Sequence, residues 1–360
     1  MKIVLAGGGT AGHVEPALAT ARAWRGIHPD SEIVFLGTRG GLEEKLIPAA
    51  GYKLSLITRV RIPRKISITL FKAPISFIAA FSQCRQVIKG SDLLVGFGGY
   101  VSGPAYIAAR SLQVPIVIHE ANAKPGIANK FGSLFTNNLA VAQPVESGAF
   151  SEALITGLPL RSDVASALIS SSQNWKEARK SAKKKIGFDD ALPVVLVVGG
   201  SQGSVSLNKT ISDSLDLFAS KKIQVLHGVG DRNALTESTS LYKPTAYISD
   251  MASAYLAADL VISRSGAVTC SEVAALGRYA LFIPLPIGNG EQEINARALV
   301  ESGRAEIISQ KSFSSSWLSA NIDRLLAKSQ GQSGVGSDSD LDAAMKITAL
   351  MQNAIGGADL

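Results

Sequence analysis

Glycine-rich loops hold the residue types best suited to chemistry in this 360-residue chain. The first spans residues 7–13 (GGGTAGH), the second begins at residue 199 (GGSQGS), and the third spans residues 264–272 (RSGAVTCSE). Glycines and small hydroxyl residues at a helix start let backbone N–H groups approach a phosphate, and the helix dipole adds to the attraction. The loops therefore predict a binding site for a phosphorylated ligand.

The first loop also matches the G-x-G-x-x-G pattern of dinucleotide-binding proteins, which is a weak signal by itself. A site for NAD needs an acidic residue at the end of the second strand to hold the ribose. Here the second predicted strand ends in Leu36-Gly37-Thr38-Arg39, without an acid. A nicotinamide-dependent enzyme is therefore disfavoured, with NADP the form least easily dismissed because of Arg39.

Three side chains in or near these loops are candidates for proton transfer or ligand binding. His13 follows the first loop, where the positive end of a helix keeps an imidazole neutral and able to accept a proton. A structural role, or a hydrogen bond to a phosphate, also fits that position. Glu120 ends a predicted strand facing the same cleft and is the rival general base. Glu272, expected in the first turn of a helix, is suited either to bind a ribose diol or to cap that helix.

Short apolar runs that alternate with helical patterns predict the elements that position these loops. We expect strands at 2–6, 32–36, 92–95, 115–118, 193–198, 223–226, 245–248, 260–263 and 280–283. This alternation predicts an α/β chain with two Rossmann-like, doubly wound domains facing a central cleft. The domains are expected at 1–160 and 161–330, followed by a flexible segment and a terminal helix in 331–360. The loops then lie at the carboxyl ends of the strands, where ligands bind.

The formal net charge of +7 is concentrated in the first half, where residues 1–160 hold 16 basic and 9 acidic side chains. No acidic residue lies between Lys45 and Ser91. The basic residues there alternate with bulky apolar ones: Lys53, Arg59, Arg61, Arg64, Lys65, Lys72, Arg85 and Lys89 with Ile62, Ile66, Ile68, Leu70, Phe71, Ile75, Phe77 and Ile78. This mixture predicts a surface that binds anionic lipid headgroups. An ordinary solvated helix is the alternative, and nucleic-acid binding is disfavoured because few aromatic residues are interleaved.

The remaining composition excludes several classes of protein. Cys84 and Cys270 are far apart, which argues against a disulfide framework or a structural zinc site. The first apolar run stops at Gly7, too soon for a signal peptide, and no run approaches the roughly 18 apolar residues of a membrane span. We therefore expect a cytoplasmic chain.

Five segments in this order and spacing, GGGTAGHVEPALA, GFGGYVSGP, HEAN, VVGGSQGS and SRSGAVTCSE, resemble the MurG-type enzymes of glycosyltransferase family 28. The resemblance runs from residue 1 to about residue 310, and HVEP and PIGNGEQ are similar to the actinobacterial branch. It implies the GT-B fold, with UDP-N-acetylglucosamine (UDP-GlcNAc) bound by the C-terminal domain. The N-terminal domain would bind lipid I, undecaprenyl-diphosphate-N-acetylmuramoyl-pentapeptide. The implied reaction is an inverting transfer to the C4 hydroxyl, giving lipid II for the cell wall.

The resemblance also implies the site residues. Donor contacts are expected at Thr10, Ala11, Gly12, Asn122, Arg161, Ser201, Ile248, Ala267, Val268, Thr269, Cys270, Ser271, Glu272 and Gln292. The backbone of Ile248 would bind the uracil edge, and Gln292 would contact the sugar hydroxyls. Ala11, Ala121 and Leu158 depart from the residues usual in the family. The choice of base between His13 and Glu120 stays open.

The implied protein is peripheral, on the cytoplasmic face of the cell membrane. Its expected partners are UDP-GlcNAc, lipid I, anionic lipids and other cell-wall synthesis proteins, but not nucleic acid. No Asp-x-Asp motif lies in a donor loop, so we expect no cofactor and no metal held by the protein, while assistance from a divalent cation stays open. One rival hypothesis is a related GT-B enzyme, either a nucleotide-sugar epimerase or a transferase with another acceptor; a soluble epimerase would have little use for the basic-apolar stretch. The other is a non-catalytic nucleotide-sugar-binding protein, which would be expected to lose the base, whereas His13 and Glu120 are both present.

Overall fold

The computed structural model describes residues 1–60, 68–200, 202–286, 290–332, 334 and 336–357, without the side chains of 68–73. The chain forms two compact units. The first unit comprises Met1–Arg161 and Asp340–Leu360, and the second comprises Ser162–Ser339. From the sequence, residues 331–360 were expected to form a flexible segment and a terminal helix separate from both domains, whereas residues 340–360 group with the first unit.

The first unit is built on a parallel sheet whose strands, within the described residues, follow the order β3-β2-β1-β4-β5-β6-β7. The strands are β1 (Lys2–Gly7), β2 (Glu32–Thr38), β3 (Lys53–Ile57), β4 (Leu93–Gly98), β5 (Ile116–Glu120), β6 (Leu139–Val141) and β7 (Leu154–Ile155). Its first helices are α1 (Ala11–Ile27), α2 (Glu43–Ala49), α3 (Ile68–Ile88), α4 (Ser102–Ser111) and α5 (Ile127–Gly132). The strand order reverses between β1 and β4, so the crevice for a ligand opens beyond their carboxyl ends.

The second unit repeats this arrangement with a parallel sheet in the order β10-β9-β8-β11-β12-β13. Its strands are β8 (Val194–Val198), β9 (Gln224–Gly228), β10 (Tyr242–Thr245), β11 (Leu260–Ser263), β12 (Tyr279–Phe282) and β13 (Ala305–Ile307). Its helices are α6 (Ser162–Gln173), α7 (Trp175–Ile186), α8 (Val205–Ser212), α9 (Leu215–Ser220), α10 (Met251–Ala257), α11 (Ala267–Ala275), α12 (Glu291–Asn295), α13 (Arg297–Glu301) and α14 (Ser315–Gln330). Here the reversal lies between β8 and β11. The loops after these two strands are the two glycine-rich loops of the second half.

A last helix, α15 (Ala343–Gly356), completes the first unit. Ile347, Met351 and Ala354 are buried in a hydrophobic cluster that also contains Leu18 and Trp24 of α1. The side chain of Asp340, just before this helix, accepts a hydrogen bond from the backbone N–H of Leu158 at 3.0 Å. The buried face of α15 is therefore part of the core of the first unit.

Most predicted strands are present, and the differences have physical causes. The strand expected at 245–248 is wrong, because β10 occupies Tyr242–Thr245 and Ile248 follows it. The basic-apolar stretch is not one surface element: Lys53 lies in β3, where its ammonium pairs with Glu32 at 2.8 Å. Residues 61–67, with Arg61, Arg64 and Lys65, lie outside the described residues. In the part of the chain that the structure describes, no helix has the length and apolar character needed to cross a membrane.

Candidate active site

In the first unit, the loop after β1 meets the loop after β4 at the reversal of strand order. Gly9, Gly98 and Gly99 have φ angles of 91°, 92° and 85°, a region that favours glycine. A Cβ on Gly99 would collide with the backbone oxygen of Gly8. Glycine is therefore required for the two loops to approach each other this closely.

His13 lies in the first turn of α1, against both loops. Its Nδ1 atom is 3.1 Å from the backbone oxygen of Gly8 and 3.2 Å from the Thr10 hydroxyl. A carbonyl oxygen can only accept, so Nδ1 carries the proton and Nε2 keeps its lone pair. Nε2 lies beside Gly98, since a Cβ there would be 3.3 Å away.

Burial lowers the pKa of His13 below its ordinary value, and the charge of Glu120, the Gly8 carbonyl and the charge of Glu43 oppose this shift. A lowered pKa keeps the imidazole neutral near pH 7, in the form that accepts a proton.

Glu120 ends β5 and is 3% exposed, and both of its carboxylate oxygens are engaged. Oε1 accepts hydrogen bonds from the backbone N–H of Asn122 at 2.9 Å and from its side-chain amide at 3.1 Å. Oε2 accepts from the backbone N–H of Gly126 and the side-chain amide of Asn129, both at 2.9 Å. Asn129 also accepts from the Tyr106 hydroxyl at 2.7 Å. The carboxylate thus organises the segment between β5 and α5, and Asn122 is held by it.

The other predicted residues of the first unit lie close to this loop or to α1. Thr10 precedes α1, while Ala11 and Gly12 are its first residues. The guanidinium of Arg161 forms an ion pair at 3.3 Å with Glu15, which is buried in α1. Arg161 is therefore attached to the helix that carries His13.

The sequence did not indicate Glu43, which begins α2 and is fully buried. Its Oε2 accepts a hydrogen bond from the backbone N–H of Gly9 at 2.9 Å, and its Oε1 accepts from the N–H of Thr38 at 2.9 Å. An acid is thus present at the end of β2, supplied by the next helix. Glu43 lies five residues beyond the end of β2, and the turn after Thr38 brings its carboxylate back to that strand end. The residues at the strand end therefore do not reveal this acid.

In the second unit, the loops after β8 and β11 are joined by the buried guanidinium of Arg264. This group donates to the hydroxyls of Ser204 at 2.8 Å and Ser206 at 3.1 Å, and to the backbone oxygen of Ile283 at 2.9 Å. It therefore fixes the segments that follow three neighbouring strands. Ser201, a predicted contact in the loop after β8, lies outside the described residues.

The N-terminus of α11 is arranged as an anion-binding site. Its N-cap residue is Gly266, which has no side chain to accept from the first N–H groups. The buried hydroxyl of Ser265 has no hydrogen-bond partner among the described residues. The predicted contacts Ala267, Val268, Thr269, Cys270 and Ser271 form the first turns of this helix. Burial raises the pKa of the Cys270 thiol, which keeps it uncharged.

Glu272 lies in the second turn of α11, not in its first turn as expected. It is 3% exposed, and its Oε2 accepts a hydrogen bond from the Tyr255 hydroxyl at 3.0 Å. The unpaired N–H groups of a helix lie in its first turn, so a position in the second turn does not fit the alternative of a helix cap. The carboxylate is held instead by α10, the helix that follows Ile248.

Two further predicted contacts lie around the same edge of the second sheet. The side chain of Ile248 packs near Gly228 at the end of β9, where an added Cβ would be 3.3 Å from its Cδ1. Gln292, in α12, accepts from the backbone N–H of Leu285 at 2.9 Å. In the same helix, Asn295 donates to the backbone oxygen of Ser265 at 3.4 Å. Among the described residues, no group of three or more potential metal-ligating side chains occurs.

Two family matches cover most of the chain. Residues 3–141 match the glycosyltransferase family 28 N-terminal domain, and residues 194–350 match the family 28 C-terminal domain. The solved structure of Acinetobacter baumannii MurG is similar, with 27% identity, a TM-score of 0.67 and coverage of 98% of this chain and 99% of that one. A UDP-GlcNAc 2-epimerase from Neisseria meningitidis shares the fold, with a TM-score of 0.59 at 13% identity over 98% of this chain and 100% of that one.

Curated relatives are similar over nearly their whole length. One from Thermobifida fusca is 39% identical over 97% of this chain and 94% of its own length, and one from Corynebacterium diphtheriae is 42% identical over 90% and 88%. Both are named UDP-N-acetylglucosamine–N-acetylmuramyl-(pentapeptide) pyrophosphoryl-undecaprenol N-acetylglucosamine transferase. With two Rossmann-like units of the GT-B type and relatives of this similarity, the chain belongs to the MurG group of glycosyltransferase family 28.

Proposed function

We propose that this glycosyltransferase transfers N-acetylglucosamine from UDP-GlcNAc to the C4 hydroxyl of the muramoyl sugar of lipid I. The transfer inverts the anomeric carbon, forms a β-1,4 bond and releases UDP with lipid II. The observation that carries the proposal is the similarity of 39% over 97% of the chain to a relative named for this transfer.

The second unit binds the donor in this proposal. The N–H groups that begin α11 receive the diphosphate, and the buried Ser265 directly precedes the N-cap residue of that helix. As the bond from the anomeric carbon to the phosphate oxygen breaks, negative charge grows on UDP, and fixed N–H dipoles stabilise it without reorganising. Glu272 binds the ribose diol, the backbone of Ile248 binds the uracil edge and Gln292 binds the sugar hydroxyls.

His13 of the first unit is the general base in this mechanism. The acceptor O4 attacks the anomeric carbon while its proton passes to Nε2, whose lone pair is left available by the hydrogen bond from Nδ1 to Gly8. Glu120 acts as a positioning residue, because its oxygens already accept four hydrogen bonds. Its negative charge also favours the imidazolium that forms when His13 takes the proton.

The test is incubation of the full chain with radiolabelled UDP-GlcNAc and a lipid I analogue. We expect label in a lipid product, with release of UDP in equal amount. Label that stays in the sugar nucleotide refutes the proposal. Epimerised UDP-GlcNAc formed without an acceptor indicates the rival epimerase activity.

The proposal includes attachment to the cytoplasmic face of an anionic membrane through the first unit. Apolar side chains are exposed on two helices that pack against α4: Ile75 and Ile78 on α3, and Ile127 at the start of α5. Leu134, just after α5, is 74% exposed. Residues 45–91 and 121–145 contain basic but no acidic side chains. Apolar groups among positive charges suit a membrane interface.

Sedimentation with anionic vesicles tests this attachment. Changing Ile127 and Leu134 together to glutamate should lower the bound fraction severalfold, because each change removes an apolar contact and adds repulsion. Ile169→Glu is the matched control, since Ile169 is 58% exposed on α6 of the second unit. Equal sedimentation of the double variant and the control contradicts the assignment of this surface.

A further inference from the structure

We propose that Glu43 is a positioning residue for the base: its carboxylate fixes the loop after β1 and thereby the ring orientation and proton location of His13. The inference rests on the proposed role of His13. It concerns a residue whose side-chain hydrogen bonds, to Gly9 and Thr38, lie within the first unit.

The contacts of Glu43 join two segments that are far apart in the sequence. Oε1 accepts from the backbone N–H of Thr38 at 2.9 Å and from its hydroxyl at 3.2 Å, at the end of β2. Oε2 accepts from the backbone N–H of Gly9 at 2.9 Å. Hydrogen bonds to a buried carboxylate are stronger than those between neutral groups. The loop after β1 is therefore held to the neighbouring strand by a charged group.

The carboxylate of Glu43 occupies space that is open only because Gly8, Gly37 and Gly41 have no side chains. An added Cβ on Gly8 would be 2.8 Å from Oε1, and one on Gly37 would be 2.6 Å from Cγ of Glu43. A Cβ on Gly41 would collide with the carboxylate itself. The side chain of Glu43 is fully buried, and a side chain in place of any of these three glycines would displace it. The site is thus built around this one side chain.

The effect reaches His13 through the backbone of the same loop. Gly9 donates to Glu43, and the preceding residue, Gly8, uses its carbonyl to accept from Nδ1 of His13. The orientation of that carbonyl decides which ring nitrogen carries the proton. If the N–H of Gly9 lost its acceptor, the peptide between Gly8 and Gly9 could rotate, and Nδ1 would lose its fixed partner. Nε2 would then no longer be reserved as the proton acceptor.

The charge of Glu43 acts on His13 as well. The groups that influence the imidazole are Glu120 at the end of β5, the Gly8 carbonyl and Glu43 at the start of α2, all of which raise its pKa against the effect of burial. Loss of the charge at residue 43 therefore lowers the pKa of His13 further. A base with a lower pKa accepts a proton less readily in the transition state, although more of it is neutral in acid.

Intramolecular use of the carboxylate also explains why this acid does not make the loop a dinucleotide site. A dinucleotide-binding domain presents its acid at the end of the second strand to a ribose. Here both oxygens of Glu43 are occupied by Thr38 and Gly9. The acid organises the loop and does not face a ligand.

Three variants separate charge, geometry and a general effect on α2. Glu43→Gln keeps the shape but removes the charge, and its NH2 group must face a backbone donor. Glu43→Asp keeps the charge but is too short to reach both Thr38 and Gly9. Glu44→Gln is the matched control, because the neighbouring Glu44 is exposed and accepts from the backbone N–H of Gly40 at 2.6 Å, outside the loop after β1.

The first readout is the titration of His13, followed by NMR of protein with ¹³C and ¹⁵N in its histidine rings. The chain has 4 histidines, and the His13 signals are those missing from His13→Ala. We expect Glu43→Gln to lower the pKa of His13 and to abolish its single Nδ1–H tautomer. Glu44→Gln should leave both unchanged. This readout needs no substrate, so it stands even if the proposed transfer reaction is absent.

The second readout is kcat with the lipid I analogue. We expect at least about a tenfold decrease for both Glu43 variants, since a displacement near 1 Å can cost a factor of 10². The acid limb of kcat against pH should move to lower pH in Glu43→Gln and less in Glu43→Asp. UDP affinity, a property of the second unit, should stay within twofold.

A His13 titration in Glu43→Gln that matches Glu44→Gln overturns the inference, even if activity falls. If Glu43→Gln does not fold, Glu43→Asp is compared with Glu44→Asp. Values of kcat within twofold of each other for these two variants overturn the inference. A shifted titration in a chain without transferase activity supports the inference and refutes the proposed function instead.

Discussion

Replacing Glu120 with glutamine should destabilise the first unit, because every hydrogen-bond position of the carboxylate is occupied. An NH2 group in the position of Oε1 would face two donors of Asn122, and one in the position of Oε2 would face Gly126 and Asn129. Either orientation leaves two donors without an acceptor. If Glu120 were a general base without hydrogen bonds to the protein, its replacement by glutamine would not change the stability of the first unit.

The magnitude follows from these contacts. A hydrogen bond to a charged group contributes about 1.5–3 kcal/mol, and two are lost here while the amides relax in part, so we expect a decrease of about 2–4 kcal/mol in the free energy of unfolding. For a unit of this size, that corresponds to a melting temperature lower by roughly 4–16 °C.

Calorimetry of the full chain measures this effect, with Glu152→Gln as the control because Glu152 is exposed. His13→Ala should lower the melting temperature less than Glu120→Gln, since it removes one hydrogen bond to a backbone group, the one from Nδ1 to Gly8. If Glu120→Gln kept its melting temperature and lost kcat by a hundredfold, the hydrogen-bond argument would be refuted and Glu120 would be the base.

Three further predictions concern the two units. His13→Ala should lower kcat by at least about a hundredfold while UDP-GlcNAc still binds, and near-normal turnover would move the role of base to Glu120. Glu272→Gln should raise KM for UDP-GlcNAc by about tenfold through loss of a charged hydrogen bond, with little effect on binding of the lipid acceptor; an unchanged KM contradicts a ribose contact. Burial lowers the pKa of His119 and His227 to about 4, so the unfolded chain binds protons more readily below about 6.5. Thermal stability should therefore fall from pH 6.5 to pH 4, and the fall should be smaller in His227→Gln.

The central strands were predictable from the sequence because they are covered on both faces. β1, β8 and β11 are continuous apolar runs, and the loops after them were correctly expected at the carboxyl ends of the sheets. The edge strands lack this signal. β10 contains Pro244, which an edge strand tolerates because one side of its backbone needs no partner. β3 is also at an edge, and its five residues mix exposed, half-buried and buried side chains without a regular alternation.

The sequence singles out candidate residues where they lie at the carboxyl end of a strand or shortly after it. Glu120 is the last residue of β5, and His13 lies in the first turn of the helix that follows β1. Glu43 does not, because its place beside Gly9 depends on how the turn after Thr38 folds back, which no local pattern reveals. The hydrogen bonds that occupy Glu120 were likewise invisible, since Gly126 and Asn129 approach it only through the folded segment before and within α5.

The packing of α15 on α1 has a consequence for biosynthesis. Domains fold largely as units while the ribosome extends the chain from the N-terminus. All strands of the second unit are synthesised before residue 343, so that unit can acquire its core first. The first unit begins earlier but lacks Ile347, Met351 and Ala354 until translation has passed them. The half of the enzyme made first is thus the half finished last, and a nascent chain stalled before α15 would expose the apolar face of α1 to chaperones.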